Sequence, residues 1–155
     1  MRERLITETV TDEMLGAATE VCRRYKKVME DSHSFEIYRS VLVEKLEGAL
    51  TDRERKLYQG MIDDAVLNNT RRLIWIHRAE WALNRITYVK PREVVRQHYF
   101  EGLPLKAIED EQGRTMGKSV ANYHRKNGVC LLAIELKRFD EIYPDKAAEA
   151  RKVKF

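Results

Sequence analysis

The chain has 155 residues, of which 43% are hydrophobic and 35% charged, with a formal net charge of +4. This excludes wholesale disorder and suits a soluble helix-rich protein, either one domain or a small domain with a helical arm. No apolar run approaches the ~20 residues that a bilayer span needs, so no membrane partner is expected.

Taken in order, residues 1–10 begin Met1-Arg2-Glu3-Arg4-Leu5-Ile6-Thr7-Glu8. They have no long apolar core, are not a signal peptide, and are expected to be frayed or loosely docked. Thr11 or Asp12 caps a helix predicted to run to about Glu30, with Met14, Ala18, Val21, Tyr25 and Val28 on one side. Its other side carries Arg23, Arg24, Lys26 and Lys27. A solvated face is the expected role of that cluster, and contact with DNA or another anionic partner is the alternative. Asp31-Ser32-His33-Ser34 reads as a turn, followed by a helix from Phe35 to Glu47 that packs Phe35, Tyr38, Leu42 and Leu46. Gly48 ends it, and Thr51-Asp52-Arg53-Glu54 has the pattern of a capping box.

No proline interrupts Thr51 to Ile86, and Ile62, Val66, Asn69, Leu73, Ile76, Ala79, Leu83 and Ile86 follow a three-four spacing. Two architectures stay open. One is a single long helix with Asn69 as a polar register residue; the other is two antiparallel helices turning at Asn68-Asn69-Thr70. The seam serves either the intramolecular core or a homodimer through residues 51–86. Trp75 and Trp81 fall off the seam and need burial of their own, which weighs toward the core.

Lys90 to Leu136 carries the pattern that suggests a job. Pro91 suits the first turn of a helix, Val95 and Tyr99 lie about one turn apart, and Glu101-Gly102 ends the helix. After Leu103-Pro104-Leu105, residues Lys106 to Gln112 are predicted as a short second helix closed by Gly113. A third helix is predicted from about Lys118 to Phe139, with Ala121, His124, Gly128, Leu132, Leu136 and Phe139 on its inner stripe. From Arg114 to Arg138 there are six Lys or Arg and one acid, Glu135, so the rest of the chain sums to about −1. Positive charge gathered on one element is the footprint of a phosphate-binding surface, and a solvated basic face is the competing reading. Tyr143-Pro144 stops the third helix; the charged tail beyond it is expected to be a mobile basic tail or a short extra helix.

Several chemistries are set aside. Gly113 to Ser119 (Gly-Arg-Thr-Met-Gly-Lys-Ser) resembles a P-loop but has three residues between its glycines instead of four, and an acidic, helical-looking segment precedes it where a strand is required. His33, His77, His98 and His124 have no ligand spacing with one another or with Cys22 and Cys130. The two cysteines read as reduced thiols, which fits a cytoplasmic protein. No catalytic motif, cofactor or metal is expected.

The stretch resembles the helix-turn-helix of the fourth conserved region of bacterial sigma factors, and most of all the sigma-like late-gene regulators of phages and prophages of Gram-positive bacteria. The matching residues are Arg92-Glu93-Val94-Val95, Tyr99-Phe100-Glu101-Gly102-Leu103, Leu105-Lys106, Ile108, Gly113 and His124-Arg125-Lys126. The resemblance covers about a third of the chain. Glu109 stands where the family has a small Ala and Gln112 where it has Leu. The turn after Gly113 is one residue longer, which brings Gly128-Val129 onto the family's Ala-Leu. Carried over by position, the resemblance implies Lys118, Ser119, Asn122 and Tyr123 as base-facing residues, Arg125 and Lys126 on phosphates, and Arg114 and Thr115 at the turn.

The expectation is therefore an all-α protein: a helical N-terminal bundle or arm (1–86), a helix-turn-helix module (87–140) and a basic C-terminal tail (141–155). The resemblance implies a sequence-specific regulator of transcription that binds double-stranded DNA and works with RNA polymerase. There is no counterpart of the sigma-factor region that opens the promoter. The alternatives are the small subunit of a phage terminase, which recognises DNA for packaging, and a helical protein-interaction module that never touches nucleic acid.

Overall fold

A computed structural model describes residues 10–155. It is all-α, with five helices. They are α1 (Asp12–Glu47), α2 (Asp52–Arg85), α3 (Val89–Val95), α4 (Lys118–Ile142) and α5 (Pro144–Arg151). The expectation of a frayed start falls mostly on residues outside this range; Val10, inside it, packs against the core.

Thr11 caps α1, its hydroxyl oxygen accepting the Met14 N–H at 3.2 Å. The helix then runs unbroken for 36 residues, so the turn expected at Asp31 to Ser34 is absent. Val28 and Phe35 are seven residues apart and both buried on the same face, so a turn between them would have lost that phase. Lys27 and Asp31 pair at 2.7 Å one helical turn apart, across the expected break. Gly48 ends the helix as expected, and Leu42 is buried, but Tyr38 is 49% exposed and does not pack as foreseen.

The helix after Thr51 is also single. Thr51 accepts the Glu54 N–H at 3.1 Å, and Glu54 in turn accepts the Leu50 N–H at 3.1 Å, one residue earlier than the usual reciprocal bond. No turn forms at Asn68 to Thr70. Thr70 donates to the Val66 carbonyl at 3.0 Å, within the helix. Asn68 instead exchanges two bonds with the Lys154 backbone, at 2.9 and 3.3 Å. Along the seam Ile62, Ile76, Ala79, Leu83 and Ile86 are buried, Asn69 is half-buried, and Val66 and Leu73 are exposed.

α1 and α2 form an antiparallel hairpin, and the core lies at its open end. One cluster joins Ala18 to Val28 of α1, Trp75 to Ile86, Val95, Val129 to Leu136 of α4, and Ala150 and Val153. The boundary expected after residue 86 thus falls inside a single core. Arg78 of α2 grips Asp140 of α4 with two bonds, at 2.7 and 2.8 Å. Trp81 meets Phe139 and Tyr143 edge-on. Of the two readings of the tail, the short helix is observed: Ala147, Ala150 and Val153 are buried, and Arg71 pairs with Glu149 at 3.0 Å.

Candidate nucleic-acid interface

The site is built on α3, the segment after it, and the first two turns of α4. Pro91 sits in the first turn of α3 and Val94 and Val95 are fully buried. The helix widens into a π-turn over Arg96–Phe100. Glu101 donates its N–H to the Arg96 carbonyl at 2.9 Å, and the Arg96 side chain pairs with both Glu93 and Glu101.

The second helix expected over Lys106 to Gln112 does not form. The chain makes one 3-10 turn at Leu105–Ala107 and then a narrow loop. Glu109 and Thr115 bridge its two sides. Asp110 is the cause: its carboxylate accepts the N–H groups of Gln112 (2.9 Å) and Arg114 (3.0 Å), a local arrangement that competes with helix. The segment also lacks an apolar face, since Ile108 is its one fully buried side chain and Glu109 and Gln112 are exposed. Gly113 and Gly117 take φ of 76° and 85°, which favours glycine at both bends. Gln97 of the π-turn holds the loop by two bonds to the Glu109 backbone, each 3.0 Å. Ile108 packs with Val94 and Ala121, with Leu105 and Met116 at the margin, so α4 is still fixed against α3 without a helix between them.

α4 starts at Gly117 with no side-chain cap. Its inner stripe is as read from the sequence: Ala121, Gly128, Leu132, Leu136 and Phe139 are buried, and His124 is half-buried. Burial, helped by the nearby Lys90 charge, holds the His124 imidazole below its ordinary pKa of 6.5. Gly128 lies so close to α3 that a Cβ there would be 2.4 Å from Val95 and 2.6 Å from the Pro91 carbonyl oxygen.

Of the eight residues singled out, Arg114, Thr115, Lys118, Ser119, Tyr123 and Lys126 are exposed. Asn122 and Arg125 are half-buried and bonded to each other. The Arg125 guanidinium donates to Asn122 Oδ1 at 2.8 and 3.0 Å and to the Tyr99 hydroxyl at 3.0 Å. These acceptors are neutral, so Arg125 is held in place with its charge uncompensated. Among the described residues no carboxylate pairs with Arg114, Lys118, Arg125 or Lys126, while Arg138 farther along α4 is paired with Glu135 at 2.7 Å.

The structure adds part of α1 to this neighbourhood. Tyr25 stacks on Phe100 at 3.9 Å, and a Cβ on Gly102 would lie 2.6 Å from Lys26 Nζ. Burial pushes the Cys22 thiol up to about 12, and the facing Arg125 charge opposes that shift. The basic cluster of α1 is thereby sorted. Arg24 pairs with Glu20 and stacks over Phe155 at 4.0 Å, and Lys27 pairs with Asp31. Arg23 and Lys26 stay exposed, with no carboxylate partner among the described residues. In the sequence nothing tied Lys26 to the segment before α4, because the tie runs through the fold, where Lys26 meets Gly102 beside the Tyr25–Phe100 stack.

Comparison with protein-family models, with curated proteins and with solved structures found no match.

Proposed function

We propose that the chain binds double-stranded DNA through the N-terminal two turns of α4, as a sequence-specific regulator of transcription. The observation that carries this reading is the set of four cations at 114–126 that lack acid partners among the described residues, around an exposed Ser119 and Tyr123. Uncompensated cations on one face release counterions when they meet phosphates. Lys118, Ser119, Asn122 and Tyr123 supply the donors, acceptors and aromatic surface that a helix in the major groove uses on base edges. The uncapped N–H groups at the start of α4 favour a phosphate there. Arg125, positioned by Asn122 and Tyr99, keeps two unused N–H groups for the same purpose. RNA polymerase as protein partner, and a phage or prophage setting, rest on the resemblance alone.

The test is quantitative binding to duplex DNA over a range of salt. Arg125→Ala and Lys126→Ala should each flatten the salt slope by about one unit and weaken all sequences alike. Asn122→Ala should relax the preference at one base position by roughly 1–3 kcal/mol. Salt slopes unchanged from wild type would remove this face from phosphate contact. The reading that competes is a helical interaction module. It draws on the loop that replaces the second helix and on the exposed apolar side chains of the hairpin. Absence of DNA binding at low salt would favour it. A packaging role as a terminase small subunit would require a ring of many subunits.

A further inference from the structure

The distal half of the α1/α2 hairpin stands apart from the core. The core cluster reaches Met29 on α1 and starts again at Ile74 on α2. Between them the hairpin buries Phe35 and Leu42 of α1 and Ile62 of α2. Ile37, Tyr38 and Val41 of α1 and Leu57 and Met61 of α2 are 72%, 49%, 45%, 59% and 38% exposed. Helical phase puts them together. Val41 precedes Leu42 by one position and Met61 precedes Ile62 by one, so each is rotated about 100° from the inter-helix line in the same sense. In an antiparallel pair, equal rotations of that kind point to the same side. Leu57 lies one turn from Met61, and Ile37 one turn from Val41, on that side. The opposite side of α1 is a mostly polar groove lined by Glu36, Arg39, Ser40, Val43, Glu44 and Glu47.

We propose that this apolar face is where a second copy of the chain docks, pairing two hairpins into a four-helix bundle. The five side chains expose roughly 500 Å², within the ~300–600 Å² range of the largest patch on a typical monomer, which is often a functional one. Two such faces, fully buried, come to about 1,000 Å², the lower bound for a specific interface. The rim carries both signs: Lys45 lies one turn from Val41, Glu54 one turn from Leu57 and Asp64 one turn from Met61, so a second copy can set cation against anion. The acidic groove on the other side would repel one.

The experiment is sedimentation equilibrium of the full chain from low to high micromolar concentration, with helicity followed by circular dichroism. The wild type should approach twice its 18.3 kDa mass. Ile37→Lys and Leu57→Glu, on different helices and both exposed, should each weaken self-association at least tenfold with helicity unchanged. Val66→Glu is nine residues from Leu57, half a turn round α2, and should leave association as in wild type. A wild type that stays monomeric throughout would overturn the proposal and leave the face to another partner. So would association that survives both variants, or that Val66→Glu weakens equally. None of these outcomes depends on DNA.

Discussion

Gly128→Ala tests how α4 is seated on α3. In an exposed helix interior the change would stabilise by about 1 kcal/mol, because alanine is the better helix former. At Gly128 the added Cβ meets Val95 Cγ2 at 2.4 Å and the Pro91 carbonyl oxygen at 2.6 Å. Val95 is fully buried, and the carbonyl belongs to the backbone, so neither yields unless α3 moves as a body. Overpacking of this kind costs about 1–3 kcal/mol, and more where backbone must shift. Because the 2.6 Å contact is with backbone, the upper part of that range applies, about 2–3 kcal/mol, and the net loss is about 1–2 kcal/mol, or roughly 2–8 °C in melting temperature for a domain of this size. The assay is urea denaturation followed by circular dichroism, with Gly16→Ala in α1 as the internal control. A Cβ at Gly16 meets nothing within 4 Å, so that variant should gain up to about 1 kcal/mol. A Gly128→Ala protein as stable as wild type would refute the close seating of the two helices.

Three further outcomes are expected. Arg78→Ala leaves the Asp140 carboxylate half-buried without its cation, and should cost about 1.5–3 kcal/mol. A double-mutant cycle with Asp140→Ala should show coupling between the two, and strict additivity would contradict the bidentate pair. His124 is held below 6.5 in the folded state, so the unfolded chain takes up the proton first, and stability should fall as pH drops below about 6.5. His124→Gln should lose less stability on acidification than wild type; an equal loss in both would refute the role of this imidazole. Tyr25 donates to Glu80 at 2.7 Å, an interaction that, after burial, raises its pKa, so Tyr25→Phe should destabilise by about 1 kcal/mol while the stack on Phe100 persists. No measurable change in urea midpoint would count against that bond.

The helical character of the chain was legible because apolar spacing of three and four recurs from Met14 to Phe139. Caps were legible too, since Thr11 and Thr51 act through local bonds that a short window contains. What failed was punctuation. Asp31-Ser32-His33-Ser34 has turn-forming residues, yet burial of Val28 and Phe35 on one face outweighs that preference. Between Lys106 and Gln112 the reverse holds. The residues between Leu105 and the closing Gly113 predict a short helix, while Asp110 and the polar Glu109 and Gln112 favour the loop that forms. The candidate site was legible as a list of exposed cations. The bond of Arg125 to Asn122 was within reach of an i, i+3 spacing, but its bond to Tyr99 spans 26 residues and appears only in the fold. The same holds for Lys26 at Gly102. The apolar face of the hairpin was hidden for another reason: its residues sit on two helices, and only their antiparallel pairing puts them side by side.

DNA reading by the start of α4 is the function proposed. The most direct test is to present the full chain with random genomic duplex fragments at low and moderate salt, recover what stays bound, and sequence it. The expected result is enrichment of one short motif that survives moderate salt and is lost or broadened in Asn122→Ala. Binding that is weak, unselective and abolished by moderate salt, or none at all, would contradict it and reduce the basic start of α4 to a solvated surface.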